Sequence, residues 1–583
     1  MSRAIRSFSV SVSVAATALA CMIHMTSACG SSRDGFDDGN GPGGNGTTTD
    51  QSGAFGDEAG AGGGAALNCK GLKSNTKSSA GCEYYAVAPD VILDGAGACF
   101  AAFITNTWVE PVSVKVDFGG APLDVTKFAY IPKGMGKALT YTPLSTGMIP
   151  PGEVAILFLN RKPGLLGGLG FGLNTNCPTG VNVAIGDIDA ATHGTGLGKA
   201  FHIVTSAAVA AYDMFPYGGG QSAMTSATLL LPVTSWDSNY IAVDAYGGGP
   251  MAQPFVQIVG QQDGTKVTIS GSNDIVGGKD VPPAKKNTPV TYTVNRGQVL
   301  QLTQDVPLIG SVIQSNVPVG VWGGKSSLSI KSCCADTGHQ QIPPVRALGS
   351  EYVGVRYRNR YDGKEESPPW RLVGAVNGTT LTWTPAPPAG APLSLAVGQV
   401  VEMNANGPFV VKSQDAQHPF YMSAHMTGAG EFDPEEKDGR GDPEFVNVIP
   451  PGEYLSQYVF FTDPTYPETN LVLVRTKGKD GKFADVDLDC AGVVGGWQAI
   501  GDFEYTRIDL VRGNFEPQGK CNNGRHEIKS ANPFGLTVWG WGSAATGPMG
   551  LGGSFYSQYV SYAYPGGANV QPINTVVVPP IVR

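Results

Sequence analysis

The sequence predicts an all-β protein of about four tandem β-sandwich-like modules behind a flexible N-terminal tether. Composition is the first sign: glycine supplies 81 of 583 residues, about twice the usual ~7%, alongside 42 prolines. That turn density suits many short strands and opposes helix bundles. Charged residues are 15% and hydrophobic residues 42%, the reverse of a disordered chain, so most of the polymer packs a core. Strand periodicity is the third sign. Val112, Val114, Val116 and Phe118 alternate with polar residues, as do Val267 with Ile269 and Tyr292 with Val294. Asp263-Gly264-Thr265 and Asn377-Gly378-Thr379 separate such runs and read as hairpin turns.

An internal repeat sets the module number. Gly152-Glu153-Val154, Gly297-Gln298-Val299 and Gly398-Gln399-Val400 each open an apolar strand. Downstream comes a strand, a serine, a short turn often bearing proline, and another strand. The copies are Ser315 to Pro318, Ser413 to Pro419 and Ser530 to Pro533, with Thr205-Ser206 as a proline-free first copy. Five to seven strands per copy suit sandwiches better than propeller blades, which need only ~40–50 residues. The expected modules are 67–220, 221–325, 326–427 and 428–567, followed by a tail at 568–583. A glycine-rich insertion at 163–198 interrupts the first and reads as a floppy loop.

The N-terminus gives an address. Arg3 and Arg6 precede an uncharged Ala-, Val- and Ser-rich stretch ending at Ala28-Cys29-Gly30, the layout of a secretory signal over residues 1–28. Cys29 is the expected lipidated residue of a bacterial lipoprotein, with Cys21 the alternative acceptor and plain secretion the other route. From Gly30 to Gly64, 13 residues are glycine and almost none apolar, so 29–66 reads as a disordered tether. The expected location is the bacterial envelope, as an outer-membrane or surface lipoprotein. A net charge of −9 offers nucleic acid no general attraction.

Eight cysteines follow the leader, an even set that suggests disulfides in an exported chain. Cys490 with Cys521 is the expected bridge. Cys69 with Cys82 and Cys99 with Cys177 are candidate pairings, and adjacent Cys333 and Cys334 each need a distant partner. Cys333, Cys334, Asp336 and His339 are weak zinc candidates. Asp433, Glu435, Glu436 and Asp438 are weak calcium candidates that lack the EF-hand spacing. Neither set predicts a metal, and no cofactor is expected. Gly323-Gly324-Lys325-Ser326 resembles part of a phosphate loop but reads as a β-turn, and Arg440-Gly441-Asp442 is too short a motif to carry weight. No His-Glu-x-x-His or Gly-x-Ser-x-Gly signature occurs. Aromatics crowd the last third, among them Tyr454, Tyr458, Phe460, Phe461, Tyr466, Tyr562 and Tyr564. They read as core residues before they read as a ligand platform.

Several stretches, in order along residues 80–567, resemble the N-terminal domain family of the IgGFc-binding protein. They include Phe255 to Val259, Asp263 to Ile269, Arg296 to Leu302, His339 to Pro344, Trp370 to Val373, Tyr466 to Leu471 and Ser561 to Gly567. The resemblance implies an extracellular binding or adhesive domain and brings no catalytic residues with it. The functional expectation is therefore a non-enzymatic surface binding protein engaging a glycan or an envelope protein. The competing readings are a carbohydrate-active hydrolase with carboxylates hidden in loops and a passive envelope component.

Overall fold

The computed structural model describes residue 69 and residues 78–580, apart from segments at 93–94, 163–175, 219–223, 247–251, 333–334, 435–437, 514 and 544–557. Helix among these residues is limited to single 3-10 turns, and every other regular element is strand. The leader, Cys21, Cys29 and the tether lie outside the described residues.

One strand plan recurs four times. Each module begins with an opening strand: Ala80–Ala86, Asp237–Ile241, Glu351–Gly354 and Leu455–Thr462. An inner strand follows: Phe100–Thr105, Pro254–Gly260, Pro369–Gly374 and Glu468–Arg475. Next is an outer strand: Val112–Phe118, Thr265–Ser270, Thr379–Thr384 and Val486–Leu488. The rim strands are Val154–Asn160, Gln298–Thr303, Val400–Asn404 and Phe503–Arg512. A long spine strand then runs through both sheets of its module: Phe201–Phe215, Val312–Leu328 and Gly524–Trp541. In the third module the spine is broken into Phe409–Ser413 and Phe420–Met426. Last come the axial strands Ser226–Leu229, Asp336–Gln341, Glu444–Asn447 and Ser561–Pro565.

The first half of each spine pairs with the opening and outer strands, and the second half with the inner and axial strands. Each spine thus passes from an outer to an inner sheet. The repeated Ser-to-Pro element marks the crossing. There the Thr205, Ser315 and Ser413 hydroxyls donate to the carbonyls of Ala207, Val317 and Asp415 at 2.8, 2.6 and 3.2 Å, occupying acceptors that the ladder drops. A tyrosine from each opening strand locks the same place. Tyr84, Tyr240 and Tyr352 donate to Val209, Val319 and Phe420 carbonyls at 2.6, 2.7 and 2.7 Å, and Tyr458 donates to Phe534. The hydroxyls of Tyr240, Tyr352 and Tyr458 also accept from the amide three residues upstream, each at 3.0 Å.

Both faces of the inner strands are buried. Phe100, Ala102 and Ile104 enter one core while Ala101 and Phe103 enter the next, and Leu471 with Leu473 and Val472 with Val474 divide in the same way. Each core is shared between one module and the inner sheet of its neighbour. Trp236, Val259 and Trp322 of the second module fill the core of the first, and Val373 and Tyr421 of the third fill that of the second. Val472, Trp539 and Trp541 of the fourth fill that of the third. Phe103 and Tyr212 of the first fill that of the fourth, which closes a ring. At its centre the axial strand Ser226–Leu229 touches Asp336–Gln341 and Ser561–Pro565, and Glu444–Asn447 touches the same two. The outer strands keep one exposed face, as in the buried–exposed alternation of Val112–Phe118.

Residues 566–578 run across the start of every module. Ser79 donates its amide to the Ala568 carbonyl at 2.7 Å and Asn569 to Glu453 at 2.9 Å. Ile573 donates to the Arg346 carbonyl at 2.9 Å, and Val578 to Asn239 Oδ1 at 2.8 Å.

Several expectations need correction. The expected boundary at 325/326 falls inside the spine Val312–Leu328, and the one at 427/428 separates Phe420–Met426 from its axial partner; the 220/221 boundary lies outside the described residues. The Gly264 and Gly378 turns have φ of +69° and +75°, but they link inner to outer sheets and close no hairpin. Gly323 to Ser326 is spine strand with no turn. The described part of the insertion is anchored: Cys177 bonds Cys99, and Gly196–Lys199 pairs with the rim strand Gln298–Thr303 of the next module. Glycine content signalled disorder there, but backbone pairing and a covalent bond hold the segment.

Disulfides among the described residues join Cys69 to Cys82, Cys99 to Cys177 and Cys490 to Cys521; Cys333 and Cys334 lie outside. Replacing Tyr240 or Tyr352 with Phe removes a buried donor and should lower the unfolding free energy by about 1–2 kcal/mol in urea titrations. The variant Cys490→Ser should cost about 3–4 kcal/mol through loop entropy, read as a lower melting temperature.

Candidate functional site

The residues singled out in the sequence do not converge. Asp336 and His339 are three apart on one axial strand and so face opposite ways. The Asp336 carboxylate oxygens accept from the Thr225 and Ser561 amides at 3.0 and 2.9 Å. His339 Nε2 donates to Gln257 Oε1 at 3.0 Å, and burial lowers its pKa to about 3, which keeps the ring neutral. In the acidic loop, Asp433 Oδ2 accepts from the Asp438 and Gly439 amides, while Asp438 binds Arg440 Nε at 2.5 Å. Glu435 and Glu436 lie outside the described residues. Asp442 is buried against Ser561, so Arg440-Gly441-Asp442 is not displayed. Tyr454, Tyr458, Phe460, Phe461, Tyr466, Tyr562 and Tyr564 are all buried. A set the sequence did not suggest, Asp489, Cys490 and His526, lies within ligand distance. Cys490 is committed to its disulfide, and the His526 ring nitrogens face Asp489 Oδ1 at 3.0 Å and the Asn522 carbonyl at 2.6 Å.

What the fold brings together is a polar axis. Ser226 Oγ lies 3.3 Å from Glu444 Oε1, and the His339 amide donates to Ser226 Oγ at 3.2 Å. Gln340 Nε2 donates to the carbonyls of Ala227 and Ala563 at 2.7 and 3.2 Å, joining three axial strands through one side chain. Burial pushes the Asp336 and Glu444 carboxyls well above the usual range, and Asp336 adds repulsion at Glu444. Thr225, Ser226, Asp336, Glu444 and Ser561 are at most 2% exposed. Such a cluster joins strands and offers a substrate no approach.

Polar chains also cross three of the four seams, each through the inner-strand residue two or three places from its start. Gln257 Nε2 donates to the Ala88 carbonyl and to Gln301 Oε1 at 3.0 and 2.8 Å, and Gln301 Nε2 reaches Asp90 Oδ2 at 3.1 Å. Asp90 and Asp189 flank His193 at 3.3 and 3.0 Å. Bonds to Asp189 and Asp90 raise His193 to about 10 from 6.5. Its stabilisation is therefore complete below about pH 6.5 and lost as pH rises towards 10. At the next seam Arg371 binds Asp244 and Glu402, both at 2.6 Å. At the third, Asn470 Oδ1 accepts from the Arg358 amide at 3.2 Å, Arg358 binds Glu468 and Asp509, and fully buried Arg360 binds Glu366 at 3.0 Å. The alternating Arg356, Arg358 and Arg360 carried a period-two signal that would have exposed this seam. The fourth seam is lined by rings, with Phe103 and Phe461 centroids 5.3 Å apart, and is crossed by the Tyr212 hydroxyl, which donates to the Val459 and Gly566 carbonyls at 3.3 and 2.9 Å.

A disulfide-bearing all-β ring, with polar groups turned into its seams and one face of its outer strands left exposed, is a domain of the extracellular type. Residues 226–540, more than half the chain, match the family described as IgGFc binding protein, and the chain belongs to that family. No curated protein and no solved structure matches it.

The axis gives a pH test. Glu444 loses its proton near pH 4.5 when unfolded but keeps it in the ring, so stability falls as pH rises above that value. Glu444→Gln cannot titrate. The variant should be more stable than the parent at pH 8, with a shallower slope between pH 4.5 and 8 in urea denaturation.

Proposed function

We propose that this chain is a non-enzymatic binding protein displayed at a bacterial surface. In this reading residues 1–28 direct export, Cys29 (or Cys21) carries lipid, and the tether to residue 66 stands the ring off the membrane. The partner is a glycan or an envelope protein. Family membership over residues 226–540 carries the reading. It is supported by the disulfides, by the polar exposed faces of outer strands such as Thr379–Thr384 and by the burial of the carboxylate clusters. Mechanism follows from geometry: a rigid ring presents preformed loops and strand edges, so little ordering entropy opposes contact.

The test is binding of the lipid-free chain from Leu67 to a glycan panel, to envelope fractions of the producing cell and to an immunoglobulin Fc fragment, which the family name brings in. Saturable binding to one class names the partner. Silence across all three returns the chain to a structural role.

A further inference from the structure

The four inner sheets are built alike, yet among the described residues one is left open. Each rim strand pairs with its inner strand on one side. On the other side Val154–Asn160 carries Ala129–Lys133, and Phe503–Arg512 carries Gln498–Ile500 and Glu516–Pro517. Gln298–Thr303 carries Gly196–Lys199, a strand that comes from the first module's insertion. That edge shows the fold accepting a strand from outside the module. Among the described residues the third rim strand, Val400–Asn404, ends its sheet.

The register says which groups the edge presents. Gly374 donates to the Gln399 carbonyl at 2.8 Å and Ala405 to Pro368 at 3.2 Å. With Leu372 opposite Val401 and Trp370 opposite Met403, Val401 and Met403 are the hydrogen-bonded positions. Val400, Glu402 and Asn404 therefore direct their N–H and C=O groups away from the sheet. The neighbouring outer sheet ends on the same flank with Ser394–Leu395, four residues before the rim strand, and the preceding Leu393 is 67% exposed. Val400 and Val401 are half-buried and Glu402 is exposed.

We infer that the Val400–Asn404 edge takes an extended segment of a partner polypeptide as an added strand, completing the third inner sheet as Gly196–Lys199 completes the second. The backbone groups of Val400, Glu402 and Asn404 supply the affinity. The bound segment carries apolar side chains on the face of half-buried Val401, while the Glu402 carboxylate stays with Arg371. This rests on the binding reading above and narrows its partner to protein.

The probe is a phage-displayed library of short random peptides, panned on the whole lipid-free chain. Selected peptides should carry apolar residues at alternate positions and slow hydrogen exchange at Val400, Glu402 and Asn404. Asn404→Pro removes one outward N–H without touching the inner ladder and should weaken those peptides about tenfold or more. Asn404→Ala keeps the N–H and should bind within a few-fold. Matching melting temperatures for both variants exclude misfolding, and the exchange pattern on unaltered protein reads the site independently. Protection elsewhere, equal binding by Asn404→Pro, or a library that yields no binder overturns the edge. Concentration-dependent protection without peptide assigns the edge to a second copy and overturns the partner. Envelope fractions that bind Asn404→Pro like the parent leave the broader binding reading standing.

Discussion

The hydroxyl of one tyrosine per module, set against a spine carbonyl where that strand changes sheets, is the constraint on which the ring depends. A strand that serves two sheets must twist sharply, and at the twist its backbone groups leave one ladder before joining the other. Tyr84, Tyr240, Tyr352 and Tyr458 occupy those groups from the opening strand, and the following Ser or Thr covers a second acceptor in three modules. With the crossing fixed, the inner sheet stands at a set angle to the outer one, and its second face is offered to the neighbouring module. Four such offers in sequence close the ring.

Polar and apolar seams divide the work. Three seams bury glutamine, arginine or asparagine from the inner strand against the loop of the preceding module, and a buried polar group tolerates few misplacements. These seams fix register between modules. The fourth seam, which joins the last module to the first, is built mostly of rings, those of Phe103, Tyr212, Phe461 and their neighbours. Its register is held by the Tyr212 hydroxyl on the Val459 and Gly566 carbonyls rather than by a buried charge.

Much of this was written in the sequence in local form. The Gly-Gln-Val elements open the rim strands, with φ of +69° at Gly152, Gly297 and Gly398, and Gly501-Asp502-Phe503 is the fourth copy at +58°. That copy escaped notice because aspartate and phenylalanine replace the repeated letters while keeping the backbone turn. The Ser-to-Pro elements were visible as punctuation, but their task was not, because a proline inside a continuous spine looks like a strand end. Module boundaries shifted for the same reason. The axis was illegible, since Thr225, Asp336, Glu444 and Ser561 come from four distant segments and meet only through closure. Asp336 and His339 drew attention by proximity in sequence, and strand geometry sends them apart.

The segment 566–578 orders these events in time. It is synthesised after every strand it touches, and it bonds to Ser79, Glu453, Arg346 and Asn239 at the four module starts. While the chain is still emerging from the ribosome, the ring lacks the piece that ties its modules together. The four modules can meet before residue 578 is free, but they cannot yet be strapped, so the locked ring is a late product of synthesis.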